Sequence, residues 1–287
     1  MVAAAGQFDI VVEKRREFDF SPHDFNRLRQ LLKDLGGIKL HDGKEDMLYG
    51  RLTRRLRAQN LTSFKAYVRL LQDEPDGEEV GHFINAMTTN LTAFFREEHH
   101  FEYLKTTLLP ALMRLNRASR KIRIWSAGCS SGEEPYSIAM IVAETVPSDW
   151  DVKILATDMD SNMVQYGFNG VYPESRLAGI SDQRLKRWFN KGSGKNEGMV
   201  CVKPQLRDMI SFKQLNLMHD WPMKGPLDMI FCRNVIIYFD DETKRALIER
   251  YFDLLHDHGV LFVGHSETLF GVTKRAKLVG KTIYEKL

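Results

Sequence analysis

Ile122–Ala139 reads IRIWSAGCSSGEEPYSIA, and this stretch decides the fold. Ile122, Ile124 and Trp125 make a short apolar strand. Ala127-Gly128-Cys129-Ser130-Ser131-Gly132 follow as a turn of small residues. A helix starts at Glu133, with Ile138, Ile141 and Val142 recurring at helical spacing. Strand, glycine turn and helix N-terminus form the first half of a nucleotide-binding α/β unit. Glycine lets the backbone come close to a ligand, and the helix start offers free N–H groups.

The turn is neither G-x-G-x-x-G nor a P-loop, because Gly128 and Gly132 are its only glycines and two glutamates stand where a lysine would be. Glu133 and Glu134 suit the helix dipole but repel a pyrophosphate. The pattern favours a nucleoside with a cationic or hydroxyl-rich part, and S-adenosylmethionine, with its sulfonium, fits. The same residues also suit an ordinary turn of a flavodoxin-like sheet, and the turn alone does not separate the two.

At 287 residues the chain has room for one large or two modest domains. Its 43% hydrophobic and 28% charged residues are those of a soluble globular protein. A net charge of +3 is too small to argue for nucleic acid. The N-terminus lacks the pattern of a secretory signal and no apolar run reaches membrane-spanning length, so a soluble intracellular chain is expected. Cys129, Cys201 and Cys232 are too far apart for a zinc ribbon or a disulfide framework.

Residues 1–17 carry no period and are expected to be a loose arm. Four helices then make up a domain over 18–95. The first has Ser21 as cap, Pro22 at its start and Gly36-Gly37 as its stop. The others run from about Lys44 to Arg57, Ser63 to Leu71, and Val80 to about Leu91. In the second, Leu48, Leu52 and Leu56 share one side, while Arg51, Arg54, Arg55 and Arg57 share the other with no acid inside RLTRRLR. That run is either a solvated face or a ridge for an acidic helix or a phosphate backbone.

Residues 96–121 read as a linker, and 122–287 as the α/β domain. VKILATD is its second strand, ending in Asp158 at the position that takes ribose hydroxyls; the alternative is a cap for the helix from Ser161. An insertion at about 175–208 breaks the rhythm with a small antiparallel hairpin that includes Met199–Val202. Strands then end near Asn216 and at Cys232, placing Asn216, Arg233 and Asn234 at carboxyl ends, where open α/β sheets bind ligands. Helix Asp240–Leu255, strand Gly259–Val263 and a closing strand near Thr282–Lys286 follow. His99-His100 and His256-Asp257-His258 lack the spacing of a helical metal pair, so no metal is expected. Gly264-His265-Ser266-Glu267-Thr268 is not a nucleophile elbow, since Thr268 replaces the second glycine.

With these residues laid out, the sequence resembles the chemotaxis receptor methyltransferase (CheR) family. The resemblance is carried by NAMTTNLTAFFREEHHF (Asn85–Phe101), WSAGCSSGEEPYS (Trp125–Ser137), ATDMD (Ala156–Asp160), Asn216-Leu217, IFCRNVIIYFD (Ile230–Asp240) and GHSE (Gly264–Glu267). It implies an all-helical N-terminal domain and a class I S-adenosylmethionine-dependent methyltransferase domain, a Rossmann-like α/β sheet with an inserted β-subdomain. It implies methyl transfer to glutamates on the cytoplasmic helical bundle of chemoreceptors, giving glutamyl methyl esters. Asn90, Thr92, Arg96, Glu134, Asp158, Asn216, Leu217, Arg233 and Asn234 would line the cofactor site, with Arg96 and Tyr238 nearest the transferred methyl. Arg51, Arg54, Arg55 and Arg57 would face the acidic receptor helix. The segment around Gly192-Ser193-Gly194 matches a hairpin that in some members docks a receptor C-terminal pentapeptide. Membrane contact would be indirect, through receptors. The alternative is a class I methyltransferase acting on RNA or a small molecule.

Overall fold

The computed structural model describes residues 16–75 and 77–287; most of the expected N-terminal arm lies outside them. Four helices come first: α1 (Pro22–Gly36), α2 (Glu45–Ala58), α3 (Phe64–Asp73) and α4 (Glu78–Met87). Ser21 and Asp24 form a reciprocal capping box at the start of α1, and Gly37, at φ 70°, ends it. Leu28, Leu32, Leu48, Leu52, Leu56, Phe64 and Phe83 fill the core of the bundle. α4 stops at Met87, short of the expected Leu91, because the backbone turns extended at Thr88. There Arg51 Nη1 donates to the carbonyls of Met87 (2.9 Å) and Thr88 (3.0 Å). Those are groups a helix end leaves unpaired.

Two of the four arginines of RLTRRLR are taken up inside the fold. Besides Arg51, Arg55 is bound to the buried Glu79, which also accepts from Tyr67 Oη (2.7 Å) and Gln59 Nε2 (2.5 Å). Arg57 pairs on the surface with Glu17. Arg54 is exposed and has no partner among the described residues. The run holds no acid of its own, but long-range folding supplies carbonyls and carboxylates that local sequence does not reveal.

Residues 96–121, expected as a linker, are mostly helical: α5 (Glu98–Tyr103), a π turn (Leu104–Leu108) and α6 (Leu109–Leu115). The π turn lies just before Pro110, whose missing N–H and ring disrupt ordinary α pairing. Phe101, Leu104, Leu108, Leu109 and Leu112 are buried against the sheet domain.

In the second domain the elements are β1 (Lys121–Ala127), α7 (Glu133–Thr145), β2 (Asp151–Asp158), α8 (Ser161–Asn169), β3 (Val171–Pro173), α9 (Asp182–Trp188), β4 (Phe189–Lys191), β5 (Met199–Val202), α10 (Pro204–Arg207), β6 (Ile210–Gln214), β7 (Leu227–Cys232), α11 (Asp241–Leu254), β8 (Leu255–Val263), β9 (Ala276–Gly280) and β10 (Ile283–Lys286). The main sheet runs β6-β2-β1-β7-β8-β10-β9, parallel through β8 and antiparallel at β10. β9 has no counterpart in the sequence reading, for its residues are mostly half-exposed or exposed and lack an apolar run. β3, β5 and β4 form a separate antiparallel sheet of three strands, where a hairpin was expected.

Ile122 and Ile124 enter the core beneath α7, whereas Trp125 and Ala127 enter the core beneath α11. β1 therefore has a side-chain row in each core, as a central strand should. The chain leaves β1 toward β2 on one side and returns to β7 on the other, so the crevice for a ligand opens between their carboxyl ends. No helix among the described residues is long and apolar enough to cross a membrane.

Burial pulls the Glu79 carboxyl upward, but hydrogen bonds from Arg55, Tyr67 and Gln59 outweigh it and hold the group below its ordinary range. Its contribution is therefore complete above the ordinary glutamate pKa and lost as pH falls through the lowered one. Glu79→Ala, which strands three donors, should cost about 3 kcal/mol in denaturant unfolding at neutral pH. Arg54→Ala should stay within about 0.5 kcal/mol.

Candidate functional site

The turn after β1 is shaped by positive-φ residues: Gly128 (82°), Ser130 (47°) and Gly132 (96°). Gly128 N and Cys129 N both donate to Thr157 O at 2.8 Å, drawing the turn down onto β2. A Cβ on Gly128 would lie 2.4 Å from Val235 Cγ2, so only glycine fits between this turn and the loop after β7. Cys129 is buried and burial holds its thiol protonated, which removes it as a nucleophile.

Asp158 closes β2 with its carboxylate beneath that turn. Oδ2 accepts from Ser130 N (2.8 Å) and Oδ1 from Asp160 N (3.0 Å). Burial pushes the carboxyl up to about 6, against the pull of these backbone donors. It does not cap the next helix; Asp160 does, through Asn162 N. Asp158 lies at the wall of a cleft that opens to solvent.

Across the crevice, Arg233 follows β7 and is buried. Its Nη1 donates to Glu134 Oε2 (3.0 Å), its Nη2 to the Arg96 carbonyl, and Glu97 Oε2 lies 3.3 Å away. Ser126 Oγ donates to the other Glu134 oxygen at 2.7 Å. Burial raises the Glu134 carboxyl, and Arg233 opposes that rise. Glu134 is thus first the counter-ion of Arg233, although both still line the cleft. Behind them His100 is buried and desolvated to about 3, with Nε2 toward Lys281 O (3.1 Å). Glu97, His99 and His100 come within 4.8 Å of one another, a cluster the sequence spacing did not suggest. The Arg233 guanidinium already supplies the positive charge beside Glu97.

The segment between the domains forms the third wall. Asn90 Nδ2 donates to Asp160 Oδ2 (2.8 Å), and Ser130 Oγ donates to Asn90 O (3.1 Å). Arg96 is half-buried with Nη1 on Leu91 O (2.9 Å), and Thr92 lines the cleft beside it. Asn216 and Leu217 line it from beyond β6, but the Asn216 amide donates to Leu35 O (2.6 Å), so it ties α1 to the sheet domain. Asn234, at φ 58°, and Tyr238 complete the rim. All nine residues expected to bind cofactor, and Tyr238, therefore meet around one cleft; the four arginines of α2 are not among its lining residues.

Several lining residues escaped the sequence reading, notably Gly36, Ile38, Met159, Val235 and Phe239. Gly36-Gly37 had read only as a helix stop. A Cβ at Gly37 would sit 2.5 Å from Met218 Sδ, so the pair is also where α1 meets the sheet domain. An apolar residue directly after a double glycine is the only local sign of that contact.

The family model described as "CheR methyltransferase, SAM binding domain" matches residues 90–285, and "CheR methyltransferase, all-alpha domain" matches 23–88. The chain belongs to the CheR methyltransferase family. It is 41% identical to the chemotaxis protein methyltransferase of Escherichia coli (strain K12), over 97% of this chain and 96% of that one. It is 44% identical to chemotaxis protein methyltransferase 2 of Pseudomonas aeruginosa, over 94% and 95%, and 40% identical to the Salmonella typhimurium enzyme, over 98% and 96%. As a CheR protein it is an S-adenosylmethionine-dependent methyltransferase of chemotaxis. The fold is the expected one, a class I methyltransferase sheet preceded by an all-helical domain.

The residues present fit that cofactor. Asp158 offers acceptors for ribose hydroxyls, the turn brings Gly128 and Ser130 to the cleft wall, and Arg96 offers a guanidinium for a carboxylate. Among the described residues no lysine lines the cleft, whose cations are Arg96 and Arg233. Asp158→Asn should weaken binding of S-adenosylhomocysteine by about 10- to 100-fold in calorimetry, the scale of a lost charged hydrogen bond. Because a protonated carboxyl is a poorer acceptor, wild-type affinity should be full above about 6 and fall as pH drops through it. The asparagine variant should show no such dependence.

Proposed function

We propose that this CheR chain methylates glutamate side chains on the cytoplasmic helices of chemoreceptors, forming γ-glutamyl methyl esters, and that it works in the cytoplasm. The observation that carries this reading is the ionisable set of the cleft. Among the described residues it consists of Arg96, Arg233, Glu134, Asp158 and Tyr238, with no histidine, cysteine or lysine on the lining. Glu134 is held by Arg233, and Asp158 by two backbone donors, so neither is placed as a general base. An acceptor carboxylate has a pKa of about 4.3 and is already an anion at neutral pH. It needs no proton removed, only alignment and exclusion of water.

When bound, S-adenosylmethionine supplies a methyl group on a positively charged sulfur. Asp158 holds the ribose hydroxyls, and Arg96 pairs its planar fork with the cofactor's carboxylate. Glu134 and Glu97, with one arginine between them, leave that side of the site net negative, which suits the ammonium and sulfonium end. Tyr238 stands at the rim, where its hydroxyl orients the incoming carboxylate. Of the α2 arginines, Arg54 and the surface-paired Arg57 are the ones left to meet an acidic receptor helix; Arg51 and Arg55 hold the helical domain together. The three-stranded β3-β5-β4 sheet, with β4 at its edge and Asn190 and Lys191 exposed there, is a site for a receptor C-terminal peptide.

The test is transfer of labelled methyl to receptor-containing membranes. Label should appear on receptor and leave as methanol in mild base; base-stable product, or label on added RNA, overturns the reading. Arg96→Ala should weaken S-adenosylhomocysteine binding by about tenfold or more, because that product keeps the carboxylate. Tyr238→Phe should leave that affinity nearly unchanged and lower kcat, a split read from calorimetry and steady-state kinetics.

A further inference from the structure

We propose that Glu267 is a positioning residue, whose buried carboxylate clips the loop between β7 and α11 into the shape that presents Asn234 and Tyr238 to the cleft. Gly264-His265-Ser266-Glu267 forms a turn after β8, closed by Glu267 N on Gly264 O (2.8 Å). From there the side chain reaches across to the loop after β7, the neighbouring strand. Oε2 accepts from Asn234 N (2.8 Å) and Gly264 N (2.5 Å), and Oε1 accepts from Ile237 N (3.2 Å). Glu267 is 4% exposed, so water does not share these bonds.

The loop it grips also holds a 3-10 turn over Ile236–Tyr238, with Tyr238 N on Val235 O and Phe239 N on Ile236 O (both 3.2 Å). Asn234 adopts φ 58°, a conformation unfavourable for most side chains, which turns its N–H out of the β7 ladder and toward Glu267. Tyr238 lies one residue beyond the second donor, and its carbonyl accepts from Lys39 N (2.7 Å). The loop is thus pinned from inside by Glu267 and from outside by the helical domain. Ionised, a carboxylate accepts at both oxygens and donates nothing, which matches three converging N–H groups. A glutamine would point an NH₂ at one of them. Gly264 belongs to the same device: a Cβ there would lie 2.5 Å from Asn234 Nδ2, 2.8 Å from Asn234 N and 2.8 Å from Glu267 Oε2.

The kinetic part of this inference rests on the receptor-methylating reading; the structural part does not. Two variants test it, Glu267→Gln from the carboxylate side and Gly264→Ala from the glycine side. Each should lower kcat by about 10- to 100-fold, the cost of a small misplacement near the chemistry. Each should weaken S-adenosylhomocysteine binding less than Asp158→Asn does, because Asp158 on β2 and Arg96 before α5 lie outside the clipped loop, which carries Asn234. Combined with Tyr238→Phe, each should lower kcat by less than the product of the single effects, since both act through one loop. Amide hydrogen exchange at Asn234 and Ile237 should quicken in Glu267→Gln with the melting temperature of the holoenzyme little changed. Normal exchange at those amides, or multiplicative kinetic effects, would overturn the proposal. If wild-type protein methylates no receptor, exchange at the two amides still decides whether the clip exists.

Discussion

One buried guanidinium holds the crevice together. Arg233 leaves the end of β7 with almost no exposure, and a cation in that position is tolerated only if oxygens surround it. Glu134 comes from the first turn of α7, Glu97 from the start of α5, and the Arg96 carbonyl from the segment between the domains. The end of β7, the start of α7 and the Arg96-Glu97 segment, distant in sequence, are thereby required to meet at the point where the strand order reverses. Removing either carboxylate would leave Arg233 with a single ionic partner and unfilled donor positions in a dry place. That is a stronger constraint than any single apolar contact in the sheet.

The same arrangement explains why two glutamates stand at the head of a nucleotide-type helix. Glu133 is wholly buried, takes the Ser131 hydroxyl at 2.6 Å and has Arg176 3.6 Å away. Glu134 is committed to Arg233. Each thus answers a group of the protein itself before it meets any ligand. The local field that results still disfavours phosphate, so the turn's preference follows from internal pairing and ligand choice together.

What could be read from the sequence was what backbone geometry demands locally. The small-residue turn, the strand ending in Asp158 and the capping of α1 are each written in consecutive residues. Asn90 through Arg96 was placed near the site by resemblance, since no periodicity in that segment points there. The remainder depended on contacts between remote residues. Arg55 finds Glu79 twenty-four positions later, Asn216 finds the Leu35 carbonyl, and Glu267 finds amides on the neighbouring strand's loop. The helix from Glu98 to Leu115 shows no clean period in the sequence, because Pro110 and a π turn interrupt it. Polar side chains with backbone partners leave little trace in a sequence.

The double glycine after α1 has a further consequence. Gly37 is pressed against Met218 and Phe239, while Gly36 and Ile38 face the ligand space directly. The front bundle is therefore no detachable adaptor but one side of the container itself. A change in volume at Gly37 or Met218 would therefore be felt in the ligand space as well as at the joint between the two domains.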